Sequence, residues 1–191
     1  MKGCRPLSDP EIEALLAYLA QGRASVRDRT LILLGIRTGF RISELLSLRI
    51  SNAVQSGKIV GRISVARRHM KGKKSSRELV LHPQAQAALA ELVATLPQLP
   101  ESFLFRSREG ENQPLNRRSA WVVLRNAAVA CGLEGKVATH SLRKTFARRC
   151  YEKSGRDIRK VQEAMGHANL NSTAAYIAVN QDEVDDLILK S

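Results

Sequence analysis

Apolar residues recur along this chain with two different periods, and the change between them divides it. Ile12, Leu15, Leu16 and Leu19 stand at helical spacing behind Ser8 and Glu11, the two ends of a capping box, so a first helix is expected over 8–20. A second periodic stretch, Val26 to Arg37, carries Leu31, Ile32, Leu33, Leu34 and Ile36, the pattern of a helix buried on most sides. Thr38-Gly39 should end it. Arg41 to Leu46 then restarts a short helix with Ile42, Leu45 and Leu46 facing inward.

Between Lys58 and Leu81 the period shortens. Ile59-Val60, Arg62 to Val65 and Glu78 to Leu81 are β-like runs separated by a lysine-rich turn around Gly72, and they predict a small antiparallel sheet of three strands. Helices resume at 83–95, 117–131, 140–154, 157–165 and 172–179, with Pro, Gly and Asn supplying the breaks. No repeat, low-complexity run or linker interrupts the series, so the expectation is one compact domain over 1–191, α+β in class and mostly helical.

Composition narrows what such a domain meets. The chain has 191 residues, 43% of them hydrophobic, which suffices for a core. Lys and Arg number 31 against 18 Asp and Glu, a net charge of +13, and four of the acids crowd into the last ten residues. A field of that sign attracts polyanions, nucleic acid first and anionic membrane second. Aromatics make up only 4%, too few for the anchors of a membrane-surface helix, and the longest apolar run, Leu31 to Ile36, is far too short to span a bilayer. The three cysteines, Cys4, Cys131 and Cys150, show no C-x-x-C spacing, which points to reduced thiols and a cytoplasmic location rather than a disulfide framework or a zinc ribbon.

The residues that carry chemistry are unremarkable one at a time. His140 and Arg143, at i and i+3, share a helix face and can point at one anion, yet such a pair also occurs on any solvated basic helix. Tyr176 alone reads as a core-edge residue. Glu44 alone reads as a surface glutamate. The order changes this: Arg41 within Thr38-Gly39-Phe40-Arg41-Ile42-Ser43-Glu44-Leu45, Lys71 before Gly72, His140-Ser141-Leu142-Arg143, Gly166-His167, and Tyr176 nine residues later.

In these stretches the sequence resembles the catalytic domain of the tyrosine recombinases, the phage-integrase family, from Leu7 to about Ile188. The resemblance implies that family's fold and its reaction, site-specific DNA cleavage and rejoining for recombination or integration through a 3′-phosphotyrosine intermediate. It implies Tyr176 as nucleophile, Arg41 and Arg143 as cations around the phosphate, and His140 and His167 as hydrogen-bond donors or proton carriers. The general acid is then a lysine of the turn; Lys71 aligns best, and Lys73 and Lys74 remain open. Glu44 becomes the residue that orients Arg41.

Residue types agree with that chemistry, because arginine's planar fork gives two parallel donors to two oxygens and keeps its proton at working pH. No metal or cofactor is implied. Arg67, Arg68, Lys73, Lys74, Arg77, Arg117, Arg118, Lys144 and Arg148 are the expected phosphate contacts. Duplex DNA is the expected partner, with a homo-oligomeric, tetrameric synapse on DNA, a monomer alone, and neither a membrane nor a small-molecule substrate. Two alternatives share the fold or chemistry: type IB topoisomerase-like relaxation, and a DNA-binding regulator that does not cleave.

Family members carry an N-terminal helical domain that closes a clamp on DNA, and here only a few residues precede the first helix. The chain is therefore expected to be either a fragment lacking the clamp or a short form like the Fim-type inversion recombinases. Val184, Leu187 and Ile188 predict a short amphipathic helix in the tail, about 180–191, which either docks on a neighbouring protomer or packs on its own domain.

Overall fold

The structure, a computed structural model, describes residues 3–22, 25–66, 77–167, 169–174, 176, 177 and 189. Two compact units divide the chain, Met1–Phe146 and Ala147–Ser191. Helices dominate both.

The first unit opens with α1 (Asp9–Leu19), held by the expected capping box. Ser8 Oγ accepts from the Glu11 amide, and the Glu11 carboxylate accepts from the Ser8 amide at 2.8 Å. Helix α2 (Ser25–Thr38) buries Thr30 to Ile36 without interruption. Its two faces serve two apolar clusters. Leu31 and Leu34 pack with Phe40, Leu45, Leu48, Ile63, Leu89 and Phe105, while Ile32 and Ile36 pack with Leu15, Leu19, Leu124 and Leu142. A helix lined on both sides reads as apolar all round, as its sequence does.

After α3 (Ile42–Leu46) and a four-residue α4 (Ile50–Ala53) that the periodicity does not announce, the chain forms β1 (Val54–Gln55), β2 (Lys58–Ile59), β3 (Arg62–Val65) and β4 (Arg77–Val80). Among the described residues the single three-stranded sheet expected from sequence is instead two antiparallel two-stranded ribbons, β1 with β2 and β3 with β4. The cause is a change of partner at one point. Ser56 and Gly57 both have positive φ, 50° and 74°, as a tight two-residue hairpin requires, and this joins β1 to β2. That pairing ends with the Val60 amide on the Ala53 carbonyl; one residue later the Gly61 carbonyl accepts from Leu81, and pairing continues with β4.

Helices α5 (Pro83–Ala94), α6 (Arg117–Ala130) and α7 (Thr139–Lys153) follow, close to the expected bounds. Asn116 caps α6 through its side chain at 2.8 Å. In the second unit, α8 (Ile158–Met165) starts at Asp157, whose carboxylate accepts from the amides of Arg159 and Lys160. Helix α9 (Leu170–Ala174) begins two residues before the expected 172, and the remainder of 172–179 past Ile177 lies outside the described residues. So do the lysine-rich turn, with Arg67, Arg68, Lys71, Lys73 and Lys74, and the tail stripe of Val184, Leu187 and Ile188. Among the described residues no helix is long and apolar enough to cross a membrane.

Candidate active site

The Thr38–Arg41 turn is the centre of the first unit's chemistry. Gly39 has φ +59°, a left-handed conformation that glycine adopts without penalty, and a Cβ there would stand 2.4 Å from Cδ1 of Phe146. Only glycine lets this backbone lie against α7. The turn also leaves the last carbonyls of α2 without helical partners, and buried arginines supply donors: Arg143 Nη1 donates to the Gly39 carbonyl and Arg77 Nη2 to the Thr38 carbonyl at 3.0 Å. A cation at a helix C-terminus also complements the helix dipole.

Arg41 leads into α3. Glu44 holds it twice: one carboxylate oxygen accepts from the Arg41 amide and the other from Nη1, both at 2.8 Å. Glu44 is 1% exposed, so the surface-glutamate reading gives way to a buried carboxylate aimed at one arginine. The side chain of Arg41 keeps about a third of its surface open, 32%. This is a guanidinium fixed at one edge and open at another, as an anion site needs.

Helix α7 brings His140 and Arg143. Ser141 is fully buried, and its hydroxyl accepts from the Ala138 amide at 3.1 Å, which fixes the start of the helix. Arg143 is 1% exposed, contrary to a solvated basic face. His140 is exposed at the start of the helix, and its pKa is lowered from the usual histidine value, first by partial desolvation and then by the charges of Arg143, Arg41 and Lys144. Three cations acting on one imidazole describe a locally positive field, which disfavours the protonated ring.

The second unit holds His167 and Tyr176. Helix α8 closes with Gly166 at φ +59°; its amide bonds the Glu163 carbonyl and the next amide, of His167, bonds the Gln162 carbonyl at 3.0 Å. This paired ending turns the chain sharply and buries His167, which is why glycine must precede the histidine. His167 Nδ1 then lies 3.0 Å from the hydroxyl of Thr173, itself fully buried in α9. The Tyr176 amide donates to the Thr173 carbonyl at 2.9 Å, and the Tyr176 ring sits 5.3 Å from that of His167, tilted by 47°. Thr173 thus holds the His167 ring through its hydroxyl and the Tyr176 backbone through its carbonyl. No motif in the sequence marks Thr173; its one signal is its place three residues before the tyrosine, one helical turn away.

Of the expected site residues, the first unit brings together Arg41, Glu44, His140 and Arg143, and the second brings together His167 and Tyr176. Among the basic groups, Arg117, Arg118 and Arg148 are exposed, Arg148 in an ion pair with Glu152 at 2.7 Å, and Lys144 is half-buried. Arg77 differs. It is 7% exposed, with its guanidinium 5.0 Å above the Phe40 ring, so its charge is turned inward where a surface basic group was expected.

The chain is similar to known recombinases in sequence and in fold. The tyrosine recombinase XerD of Corynebacterium glutamicum is 32% identical over 167 residues, which cover 85% of this chain and 51% of that protein. The probable integrase/recombinase YoeC of Bacillus subtilis is 32% identical over 157 residues, 82% of this chain and 80% of YoeC. Among solved structures, XerA recombinase superposes with a TM-score of 0.75 at 23% identity, covering 97% of this chain and 64% of that one. XerH recombinase bound to its palindromic difH substrate, a post-cleavage complex, gives 0.74 at 25% identity, covering 96% and 52%. The chain spans about half the length of the XerD protein it matches. The profile of the phage integrase family runs from residue 5 to residue 183, through every motif described above, and the chain belongs to that family.

Proposed function

We propose that this chain is the catalytic part of a site-specific recombinase or integrase that cleaves and rejoins duplex DNA through Tyr176. The observation that carries the reading is the Tyr176–His167 pair, with rings 5.3 Å apart and the histidine ring held by a buried threonine. The family match running through both units supports reading 1–191 as one catalytic domain. The structures of XerH on difH support duplex DNA as the partner.

In this reading the Tyr176 hydroxyl oxygen forms a bond to phosphorus as the bond to the 5′ oxygen breaks, leaving a 3′-phosphotyrosine and a 5′ hydroxyl. The crowded phosphorane between them carries extra negative charge on its non-bridging oxygens, and Arg41 and Arg143 neutralise it. Arg143 spends one donor on Gly39 and Arg41 one on Glu44, so each guanidinium meets the phosphate already oriented. His140, whose pKa is lowered by partial desolvation and the neighbouring cations, and His167 share hydrogen bonding to the phosphate and removal of the tyrosine proton. A lysine of the turn, Lys71 with Lys73 and Lys74 as alternatives, returns a proton to the 5′ oxygen. Bond energy is retained in the phosphotyrosine, so attack by a 5′ hydroxyl reseals the same strand or a partner's without a cofactor. Arg67, Arg68, Arg117, Arg118, Lys144 and Arg148 bind phosphates, four copies assemble on DNA, and the reaction takes place in the cytoplasm on the nucleoid.

The test is a nicked suicide duplex carrying the repeats that flank its gene, resolved on a denaturing gel. Wild type forms a covalent adduct and Tyr176→Phe forms none; an undiminished adduct in the variant sinks the assignment. A substrate with sulfur at the 5′-bridging position needs no acid, so it restores Lys71→Ala but not Arg143→Ala. Restoration of Lys73→Ala or Lys74→Ala in its place moves the acid there.

A further inference from the structure

We propose that Arg77 is a positioning residue that holds the Thr38–Arg41 turn, and through it the guanidinium of Arg41, rather than a residue that binds DNA. The proposal rests on the reading of Arg41 as a ligand of the reacting phosphate. Arg77 is the first residue of β4, pinned opposite Val65 of β3, and it follows directly on the lysine-rich turn. From there its side chain runs inward. The guanidinium lies over Phe40, 2% exposed, and donates to the carbonyl of Thr38, the last residue of α2.

Two features of the turn make this grip matter. Its carbonyls at 38 and 39 are each taken by a buried arginine, Arg77 from the sheet and Arg143 from α7, so the turn is clamped from two elements. The amides on the same turn are engaged as well: Gly39 with the Gly35 carbonyl, Phe40 with the Thr38 hydroxyl and Arg41 with Glu44. Displacement of the 38 carbonyl therefore moves the backbone from which Arg41 projects. Arginine suits the position because a flat guanidinium stacks on Phe40 and donates in its own plane, whereas an ammonium does only the second.

The test pairs a structural readout with a kinetic one. In Arg77→Gln, hydrogen exchange at the amides of Gly39, Phe40 and Arg41 should accelerate at least tenfold, while the Val60 amide, in the other ribbon, is unchanged. The rate of adduct formation on the suicide duplex should fall about tenfold or more, with DNA affinity within twofold of wild type. In an Arg41→Ala background the same substitution should cost nothing further, because the group it positions is gone. Arg77→Lys recovers part of the rate. Should Arg77→Gln not fold, Phe40→Leu removes the ring beneath the guanidinium and should give the same local exchange pattern with a smaller loss of rate.

Unchanged exchange at 39–41 overturns the proposal. So does an equal fold-loss in both backgrounds, or a loss of affinity in step with rate and a salt slope smaller by about one, which marks a phosphate contact. If the wild-type protein forms no adduct, the recombinase reading fails, and the exchange measurement still decides whether Arg77 holds the turn.

Discussion

Gly39→Ala offers the sharpest test of how the Arg41 turn is built. Two costs add at this position. An L-residue at φ +59° is disfavoured by roughly 1–2 kcal/mol. The new methyl would also stand 2.4, 2.8 and 3.1 Å from three atoms of Phe146, and inserting a carbon into such a packed site costs about 1–3 kcal/mol. The sum is about 2–5 kcal/mol, and a middle value of about 3 lowers the melting temperature by roughly 6–12 °C for a chain of this size. Gly57→Ala separates the two terms: φ there is +74°, and nothing lies within 4 Å of the added Cβ. It should cost only the backbone part, roughly 1–2 kcal/mol. Urea denaturation of both variants, followed by circular dichroism, gives the difference directly. Equal losses at the two sites would refute a steric role for Phe146. Because the Gly39 carbonyl also accepts from Arg143, Gly39→Ala should depress adduct formation even at temperatures where it remains folded.

Three further outcomes follow from the same geometry. Thr173→Val keeps the buried volume but removes the oxygen beside His167 Nδ1, a loss of about 1 kcal/mol, so adduct formation should slow roughly fivefold at unchanged DNA affinity; an unchanged rate would release Thr173 from any role. His140 has a lowered pKa, so below its usual value of 6.5 the unfolded chain binds more protons than the folded one; stability is complete above that pH and declines beneath it, and His140→Gln should flatten this part of the curve. Glu11, hydrogen-bonded first of all to Arg5 and also to Ser8, is held down to about 2, so its contribution is present above 4.5 and lost as pH falls toward 2; acid titration of Glu11→Gln should lack that step.

Much of the local structure was legible in the sequence because local physics decides it. Ser8 and Glu11 specify their capping box within four residues, and the apolar run of α2 announces burial whatever it packs against. The ribbons were less legible. Pairing partners are chosen by residues far apart in the chain, and the switch at Val60–Gly61 leaves no mark on the alternation of apolar residues.

For the site the division is similar. The sequence by itself determined which residue types are present, in what order, and where glycine must stand: Gly166 before His167 closes a helix, and that is a short-range event. It did not determine which charges are buried. Glu44, Arg77 and Arg143 look like surface residues by type, and only the tertiary structure decided otherwise, because the end of α2 leaves carbonyls, and the turn after it leaves a guanidinium, that distant elements must satisfy. Burial and partnering of a charge are settled by what packs around it, which no short window of sequence contains.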